Sequence, residues 1–327
     1  MISDIRRAVR SVVVGMLALV LSACAPSAVP SPTSASLAQP EQAPAKSEFE
    51  RPELLMETAE LAELMTEKRL RIVDLRAADK YVQGHIPGAV NLSPSDLDQK
   101  VNDVQDLAPP ARVAQVLGDL GIGDETKVVL YDDQQTLLAG RAFWALDYLG
   151  HKDVVVLNGG FPKWAGERRE ITRVVPHVEK REFTPRPDPS KVADKAYVRA
   201  NIGEKAVVFC DARSQGEYEG TDVRAKRGGH IPGAVNLNWE ENLTAGETPI
   251  IKEAARLRQL YEQTGVSPDN EVITYCQTGA RAAQAYYILR LLGYEKVRNY
   301  DSSWQQWGND PSLPLDPQGD ARSDGCG

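Results

Sequence analysis

Short runs of Val, Ile and Leu alternate along the chain with longer stretches in which apolar residues recur every three or four positions. Uninterrupted apolar runs are typical of strands buried on both faces, and the longer period is typical of helices. The predicted strands lie at 71–74, 127–131, 153–157, 206–210, 271–275 and 296–300. The predicted helices lie at 58–67, 110–119, 140–149, 252–263 and 281–292. This alternation predicts an α/β fold in which central, mostly parallel sheets are flanked by helices.

The two halves of the chain are copies of one unit. Ile72-Val-Asp-Leu-Arg76 recurs as Phe209-Cys-Asp-Ala-Arg213, and Gly84-His-Ile-Pro-Gly-Ala-Val-Asn-Leu92 recurs as Gly229-His-Ile-Pro-Gly-Ala-Val-Asn-Leu237. The Pro-Gly pairs of the second motif predict a turn, so we interpret its histidines, His85 and His230, as structural. The second copy carries an insertion near residues 220–228.

The repeat predicts two tandem domains. The first spans 51–170 and the second 191–315. A connector with several prolines, at 171–190, joins them, and a polar tail follows at 316–327.

The N-terminus has the features of an export signal. Three arginines within residues 1–10 precede an apolar stretch at 11–21, which is too short to span a bilayer. Leu21-Ser-Ala-Cys24 resembles the lipobox of bacterial lipoproteins, which implies removal of residues 1–23 and acylation of Cys24. Residues 24–50, rich in Pro, Ala and Ser, are predicted to form a tether. We therefore expect an extracytoplasmic protein that is lipid-anchored to a bacterial membrane.

Composition narrows the choice of partners. Hydrophobic residues make up 42% of the 327 residues, which suits two globular domains. The formal net charge is −8, and removing residues 1–23 leaves 35 basic and 45 acidic side chains, or −10. An acidic body argues against nucleic acid as a partner. An anionic substrate would need a local basic site, and we expect a monomer that acts on small molecules.

The spacing of the four cysteines fits neither a metal site nor a disulfide framework, so no metal and no cofactor are predicted. Cys210 lies within a predicted strand and is interpreted as a buried structural residue. Cys326 lies in the polar tail, where an incidental role is favoured over that of a resolving thiol. Cys276 differs from these because it follows the strand at 271–275 and precedes a helix.

Cys276 is the predicted nucleophile. Ligands of open α/β sheets bind beyond the carboxyl ends of the strands. There, at a helix N-terminus, backbone N–H groups and the helix dipole favour a thiolate and lower its pKa. Gly279 allows the loop to curl around the sulfur, and Arg281 adds a positive charge. The equivalent strand of the first copy is followed by Asp132, so a single active site is predicted.

These motifs resemble the two-domain rhodanese family of sulfurtransferases, which includes thiosulfate and 3-mercaptopyruvate sulfurtransferases. The resemblance covers about residues 52–315 and implies an inactive first domain and a catalytic second one. It implies that Cys276 carries sulfur as a persulfide, and that Asp211 and Arg213 support its loop. Donor contacts are expected from the loop itself: Gln277, Thr278, Gly279, Ala280 and Arg281.

Two other classes of function remain open. Cysteine-dependent phosphatases and arsenate reductases use a loop with five residues between Cys and Arg, whereas four separate Cys276 from Arg281. The shorter loop favours a single sulfur over a phosphoryl group. A binding or sensing module without turnover is the other alternative.

The donor is less well defined by the sequence. Gln277-Thr278 matches neither the thiosulfate nor the mercaptopyruvate pattern, and Glu217 stands where many relatives carry a donor-binding arginine. We expect its carboxylate to repel an anionic donor. Compensating charge could come from Arg281 or from four other basic residues: Arg141, Arg224, Lys226 and Arg227. Thiosulfate is favoured over 3-mercaptopyruvate as donor, with cyanide or a thiol as acceptor.

Overall fold

The computed structural model describes residues 48–317. The expected signal peptide, Cys24, nearly all of the tether and Cys326 lie outside these residues. The tether was predicted to extend to residue 50, but Phe49 is only 3% exposed and Arg258 donates to the Glu48 carbonyl. That boundary is therefore about three residues late, since Glu48, Phe49 and Glu50 all contact the folded body. Within 48–317, no helix is both long and apolar enough to cross a membrane.

The first half is built on a five-stranded parallel sheet with strand order β1-β7-β6-β2-β3. Its strands are β1 (Leu55–Met56), β2 (Leu70–Asp74), β3 (Val90–Asn91), β6 (Lys127–Tyr131) and β7 (Val154–Leu157). An antiparallel hairpin, β4 (Asp98–Val101) and β5 (Val104–Leu107), projects from this half. Its helices are α1 (Thr58–Leu64), α2 (Ala78–Gln83), α3 (Pro94–Leu97), α4 (Pro110–Asp119), α5 (Leu137–Tyr148) and α6 (Gly160–Gly166).

The second half repeats this plan with a four-stranded parallel sheet in the order β11-β10-β8-β9. Its strands are β8 (Val207–Asp211), β9 (Val235–Asn236), β10 (Glu271–Tyr275) and β11 (Val297–Asn299). Its helices are α7 (Lys195–Ala200), α8 (Gln215–Glu219), α9 (Ala254–Gln263), α10 (Ala280–Leu291) and α11 (Ser303–Trp307). The predicted α/β class with mostly parallel sheets is confirmed.

Helices α5 and α10 form the main contact between the two halves. A Cβ at Gly140 would lie 2.7 Å from the Gln284 Cα, so the helix backbones approach closely. Phe143 packs edge-on against Tyr287, and one hydrophobic core cluster runs through both halves. Because the halves share buried apolar surface, each holds the other's central helix in place.

The connector runs along the first half before it joins the second. Thr172 pairs with His85, and Arg181 and Arg186 donate backbone N–H groups to Gly118 and Leu149. Val192 then pairs with Asn299 beside β11. The turn histidines are structural, as expected, since each ring stacks on a tyrosine of the preceding helix at 3.7–3.8 Å between centroids.

Candidate active site

Cys276 lies in the loop between β10 and α10, at the carboxyl end of the second sheet. It is 1% exposed, and the Gly279 N–H donates to its Sγ at 3.1 Å. The N–H groups of the first turn of a helix have no intrahelical acceptor, and those of α10 begin directly after this loop. The sulfur therefore sits at a helix N-terminus where backbone N–H groups and the helix dipole stabilise negative charge.

Gly279 is required by this geometry for two reasons. Its φ is +90°, in the left-handed region that residues with a Cβ rarely adopt. A Cβ at this position would also overlap the Asp301 side chain and approach Arg141 Nη1 to 3.2 Å. The sequence-based role of Gly279 in curling the loop agrees with both observations.

The turn after β11 holds the main chain of the cysteine loop, which the sequence analysis did not identify. The Cys276 N–H donates to Ser303 Oγ at 3.1 Å, and the Ser303 hydroxyl donates to the Tyr300 carbonyl at 2.7 Å. The Trp304 N–H donates to the Cys276 carbonyl at 3.0 Å. Ser303 has a φ of +47°, and Gly160 has +53° at the equivalent position of the first half. The sequence offered one signal for this role: Ser303 stands where the first half has a glycine, Gly160.

Asp211 and Arg213 form a buried ion pair, not a surface one. Arg213 is 1% exposed, binds both Asp211 oxygens and donates to the Gly229 carbonyl at 2.8 Å. Its guanidinium also lies 4.5 Å from the centroid of the Trp304 ring. The pair therefore reaches the cysteine loop indirectly, through Trp304. Asp74 and Arg76 make the same buried pair in the first half.

Arg281 is paired with Glu217. Its two terminal nitrogens donate to the two Glu217 oxygens at 2.6 and 2.8 Å, and Glu217 is 1% exposed. Burial opposes ionisation of the carboxyl, but the hydrogen bonds and charge of Arg281 lower the pKa of Glu217 to about 2. Burial of Arg281 lowers its pKa, but Glu217 and the nearby Cys276 sulfur outweigh that effect. The pKa of Arg281 is therefore raised above its ordinary value.

This pairing corrects the expectation for Glu217. Its carboxylate does not stand free to repel a donor, because Arg281 neutralises it. The first half has an ion pair in a similar place, where Lys80 on α2, the counterpart of Glu217, pairs with Asp133 of the β6–α5 loop at 2.5 Å. In both halves an ion pair ties the helix after the Asp-x-Arg strand to the segment that follows the central strand, β6 in the first half and β10 in the second.

The other loop residues line the mouth of the site. Gln277, Thr278 and Ala280 are partly exposed. The Gln277 side-chain amide donates to the Arg224 carbonyl at 3.1 Å, so the insertion packs against the loop. The Gln277 Oε1 atom is buried without a hydrogen-bond partner in the described part of the chain.

The four basic residues proposed for donor binding have different surroundings. Arg224 lies at the site, 3.7 Å from Glu217, and is 53% exposed, although Asp222 also pairs with it. Lys226 is exposed on the insertion. Arg227 donates to backbone carbonyls at 307, 308, 310 and 313, and so holds the chain together.

Arg141 does reach the second half, as considered from the sequence, but not as an open donor site. It is 1% exposed and pairs with Asp301 and Asp98. We therefore correct the donor-binding expectation for Arg141 and Arg227, because their guanidinium groups are occupied by acceptors of the protein itself.

The first half binds its own carboxylate where the second half has the thiol. Asp132 accepts four backbone N–H bonds of 2.7–3.0 Å, from residues 134, 136, 138 and 139. Burial raises the pKa of Asp132, and the four donors oppose that shift. This loop is one residue longer, since five residues separate Asp132 from Leu138, the counterpart of Arg281. The N-terminus of α5 is thus filled by an internal anion.

Cys210 is fully buried in β8, and burial raises the pKa of its thiol to about 12. This agrees with a structural role. Among residues 48–317, no group of three or more His, Cys, Asp or Glu side chains could hold a metal ion.

Comparison with known proteins connects this site to a family. The model of the rhodanese-like domain matches residues 57–167 and 194–310. A thiosulfate sulfurtransferase of Pseudomonas aeruginosa is 36% identical over 268 residues, which is 80% of this chain and 97% of that protein. The sulfur carrier protein TtuD of Thermus thermophilus is 35% identical over 285 residues, covering 82% and 98%.

The fold is also shared with a solved structure. An anaerobic ergothioneine biosynthesis enzyme from Chlorobium limicola superposes with a TM-score of 0.73 at 24% identity, over 81% of this chain and 70% of that one. With both halves matched by the family model and relatives aligned over most of its length, this chain belongs to the rhodanese-like family and is a two-domain sulfurtransferase.

Proposed function

We propose that this sulfurtransferase takes the sulfane sulfur of thiosulfate and passes it to cyanide or a thiol through a persulfide on Cys276. The observation that carries the proposal is the 3.1 Å bond from the Gly279 N–H to Cys276 Sγ at the N-terminus of α10. A thiolate in that position is a nucleophile held by donors that need not reorganise during the reaction.

The first half supports a persulfide as the bound species. The Asp132 oxygens lie two bonds from Cβ, and so would the outer sulfur of a cysteine persulfide. Two of the N–H groups that bind Asp132, at 138 and 139, correspond to those of Arg281 and Ala282 in the second half. Because the cradle of the first half binds an anion at that distance, the related cradle of the second half suits the outer sulfur of a persulfide.

The reaction follows in two displacements. The Cys276 thiolate attacks the outer sulfur of thiosulfate, a new S–S bond forms, and sulfite leaves with the electrons of the old one. Cyanide or an acceptor thiolate then attacks the outer sulfur of the persulfide, and the Cys276 thiolate leaves. Gly279 and the first turn of α10 stabilise the negative sulfur in both steps.

Thiosulfate as the donor rests on the relatives, because several of them carry the name thiosulfate sulfurtransferase. Arg224 is the basic side chain at the mouth of the site that is open to solvent, and it would meet the sulfonate end of the donor. 3-Mercaptopyruvate is the alternative donor.

Mass spectrometry after exposure to each donor tests the proposal. Thiosulfate should add one sulfur to the peptide that contains Cys276, and should do so faster than 3-mercaptopyruvate. The Cys276→Ser variant should neither gain sulfur nor form thiocyanate from cyanide. Persistent transfer in that variant, or rapid hydrolysis of an aryl phosphate by the wild type, would overturn the assignment.

We further propose that the mature protein is anchored through a lipid on Cys24, on the extracytoplasmic side of a bacterial membrane. The support is the lipobox-like Leu21-Ser-Ala-Cys24 and the apolar stretch before it. The wild type should fractionate with membranes, and Cys24→Ala should release it. Equal membrane association of the two would contradict the anchor.

A further inference from the structure

A buried ion-pair triad, formed by Asp98, Arg141 and Asp301, lies directly beneath the cysteine loop. Arg141 comes from α5 of the first half and Asp301 from the turn after β11 of the second. Both terminal nitrogens of Arg141 donate to Asp301, and Nη2 also donates to Asp98 Oδ1 at 2.8 Å. Asp301 also accepts the Leu107 N–H from the β4–β5 hairpin, at 2.8 Å. Residues of both halves thus converge on one carboxylate.

The triad is in contact with the backbone that binds the sulfur. The Asp301 carboxylate and Arg141 Nη1 occupy the space into which a Cβ of Gly279 would project. Gly279 is the residue whose N–H donates to Cys276 Sγ. The ion pair is therefore packed against the residue whose amide binds the sulfur.

The internal duplication provides a natural comparison. Two neutral amides stand at the equivalent positions on the other side of the interface: Gln284 for Arg141 and Asn158 for Asp301. Leu243 is the counterpart of Asp98, because it pairs with Ile251 as Asp98 pairs with Leu107. One contact corresponds, because the Ile251 N–H donates to Asn158 Oδ1 at 3.1 Å as the Leu107 N–H donates to Asp301. Gln284 accepts from the Asn242 amide at 3.0 Å, and its own Nε2 has no hydrogen-bond partner in the described part of the chain. Neutral amides thus suffice to dock one half on the other beside the non-catalytic Asp132 loop.

The charged set is therefore not needed for docking alone. Burying ions costs desolvation energy that amides of similar shape avoid. Charge-assisted, bidentate hydrogen bonds are also shorter and more directional than amide ones. The charged version occurs on the side where the loop carries the nucleophile, and there a fixed amide direction matters for catalysis.

We infer that Arg141, supplied by the non-catalytic half, is a positioning residue that acts with Asp301 to fix the Gly279 amide against the sulfur of Cys276. The inference rests on the proposed role of Cys276. It gives the first half a function in catalysis, because Arg141 and the hairpin complete the support of a loop that belongs to the second half.

The test replaces the charged side chains on the catalytic side with neutral amides of similar shape. Arg141→Gln alone removes the cation that pairs with buried Asp301 and partly buried Asp98, so we expect a lower melting temperature and a lower kcat. The triple variant Asp98→Asn/Arg141→Gln/Asp301→Asn removes all three charges, so that no carboxylate is left without its cation. It should recover most of the melting temperature, while kcat for thiocyanate formation stays at least about tenfold below wild type. KM for thiosulfate should change less than twofold, since the triad does not touch the donor.

Two further variants keep the test decisive. Arg141→Lys retains the charge without the bidentate geometry and should fold with a reduced kcat. Gln284→Met removes the polar group at the position equivalent to Arg141 on the neutral side. It should leave kcat within twofold of wild type. If kcat recovers with the melting temperature in the triple variant, or if Arg141→Lys has wild-type kcat, the inference is wrong.

Failure of the proposed function would look different. In that case wild-type protein would gain no sulfur at Cys276, or Cys276→Ser would still transfer it. Failure of the positioning role alone leaves sulfur loading of the wild type intact and makes the triple variant equally fast.

Discussion

Replacing Glu217 by Gln removes the carboxylate that neutralises Arg281 while keeping the shape of the side chain. The pKa of Glu217 falls from its ordinary 4.5 to about 2 in the folded protein. A shift of that size corresponds to about 3 kcal/mol of folding free energy. Because a glutamine carbonyl can still accept one hydrogen bond from Arg281, and solvent screens the pair at the mouth of the site, we expect a loss of about 2 kcal/mol.

The sign of the pH dependence follows from the lowered pKa. Glu217 contributes its full stabilisation above the unfolded pKa of 4.5, and loses it as the pH falls towards about 2. Urea unfolding at pH 7.5 should show the variant about 2 kcal/mol less stable than wild type. At pH 4 the difference should be about 1 kcal/mol smaller, since the unfolded wild type then binds a proton.

The same substitution changes the charge that a donor meets. Without Glu217, the guanidinium of Arg281 is no longer neutralised next to Cys276. One additional unit charge in a partly screened site is worth about 1 kcal/mol, so KM for thiosulfate should fall about fivefold. Steady-state thiocyanate formation at low ionic strength measures this change, and added salt should reduce it.

Glu219→Gln is the matched control, because Glu219 is exposed on the same helix. It should change stability by less than about 0.5 kcal/mol and leave KM unaltered. The reasoning on Glu217 is refuted if its variant is as stable as this control at pH 7.5, if the difference does not narrow at pH 4, or if KM for thiosulfate rises.

Three other substitutions or probes test separate parts of the site. Gly279→Ala forces a Cβ into Asp301 at a φ of +90° and should lower sulfur transfer more than about 100-fold; a variant with most of its activity would contradict the proposed geometry. Asp132→Ala removes the acceptor of four backbone N–H groups, two of them buried, and should lower the free energy of unfolding by about 3 kcal/mol, measured by urea unfolding; a loss below 1 kcal/mol would argue against an internal anion site. The Cys210 thiol, with its pKa raised to about 12, should stay unmodified by iodoacetamide at pH 8 while Cys276 is alkylated; peptide mass spectrometry checks this.

Much of the framework follows from local patterns. The strands at 127–131 and 271–275 and the helix at 110–119 were predicted with the bounds found in the structure, because apolar periodicity and turn residues act over a few positions. Other predicted bounds differ by one to three residues. The pattern missed the two-residue strands and the β4–β5 hairpin, which owe their pairing to distant partners.

The position of the nucleophile was also accessible from the sequence. Duplication identified the edge of the sheet, and the contrast of Cys276 with Asp132 identified the half that carries the thiol. Gly279 could be assigned because a tight loop before a helix requires a residue without a Cβ.

The charge pattern around that nucleophile was decided by tertiary structure. Glu217 was expected to repel a donor, and instead it pairs with Arg281, 64 positions away. Arg141 was considered for donor binding, and instead it pairs with Asp301, 160 positions away. The sequence by itself determined the two α/β units and the place of Cys276, since hydrogen-bonded elements and turns depend on neighbours in the chain. Which charges meet depends on how the two halves pack, and only the packing of α5 on α10 brings Arg141 beneath the cysteine loop.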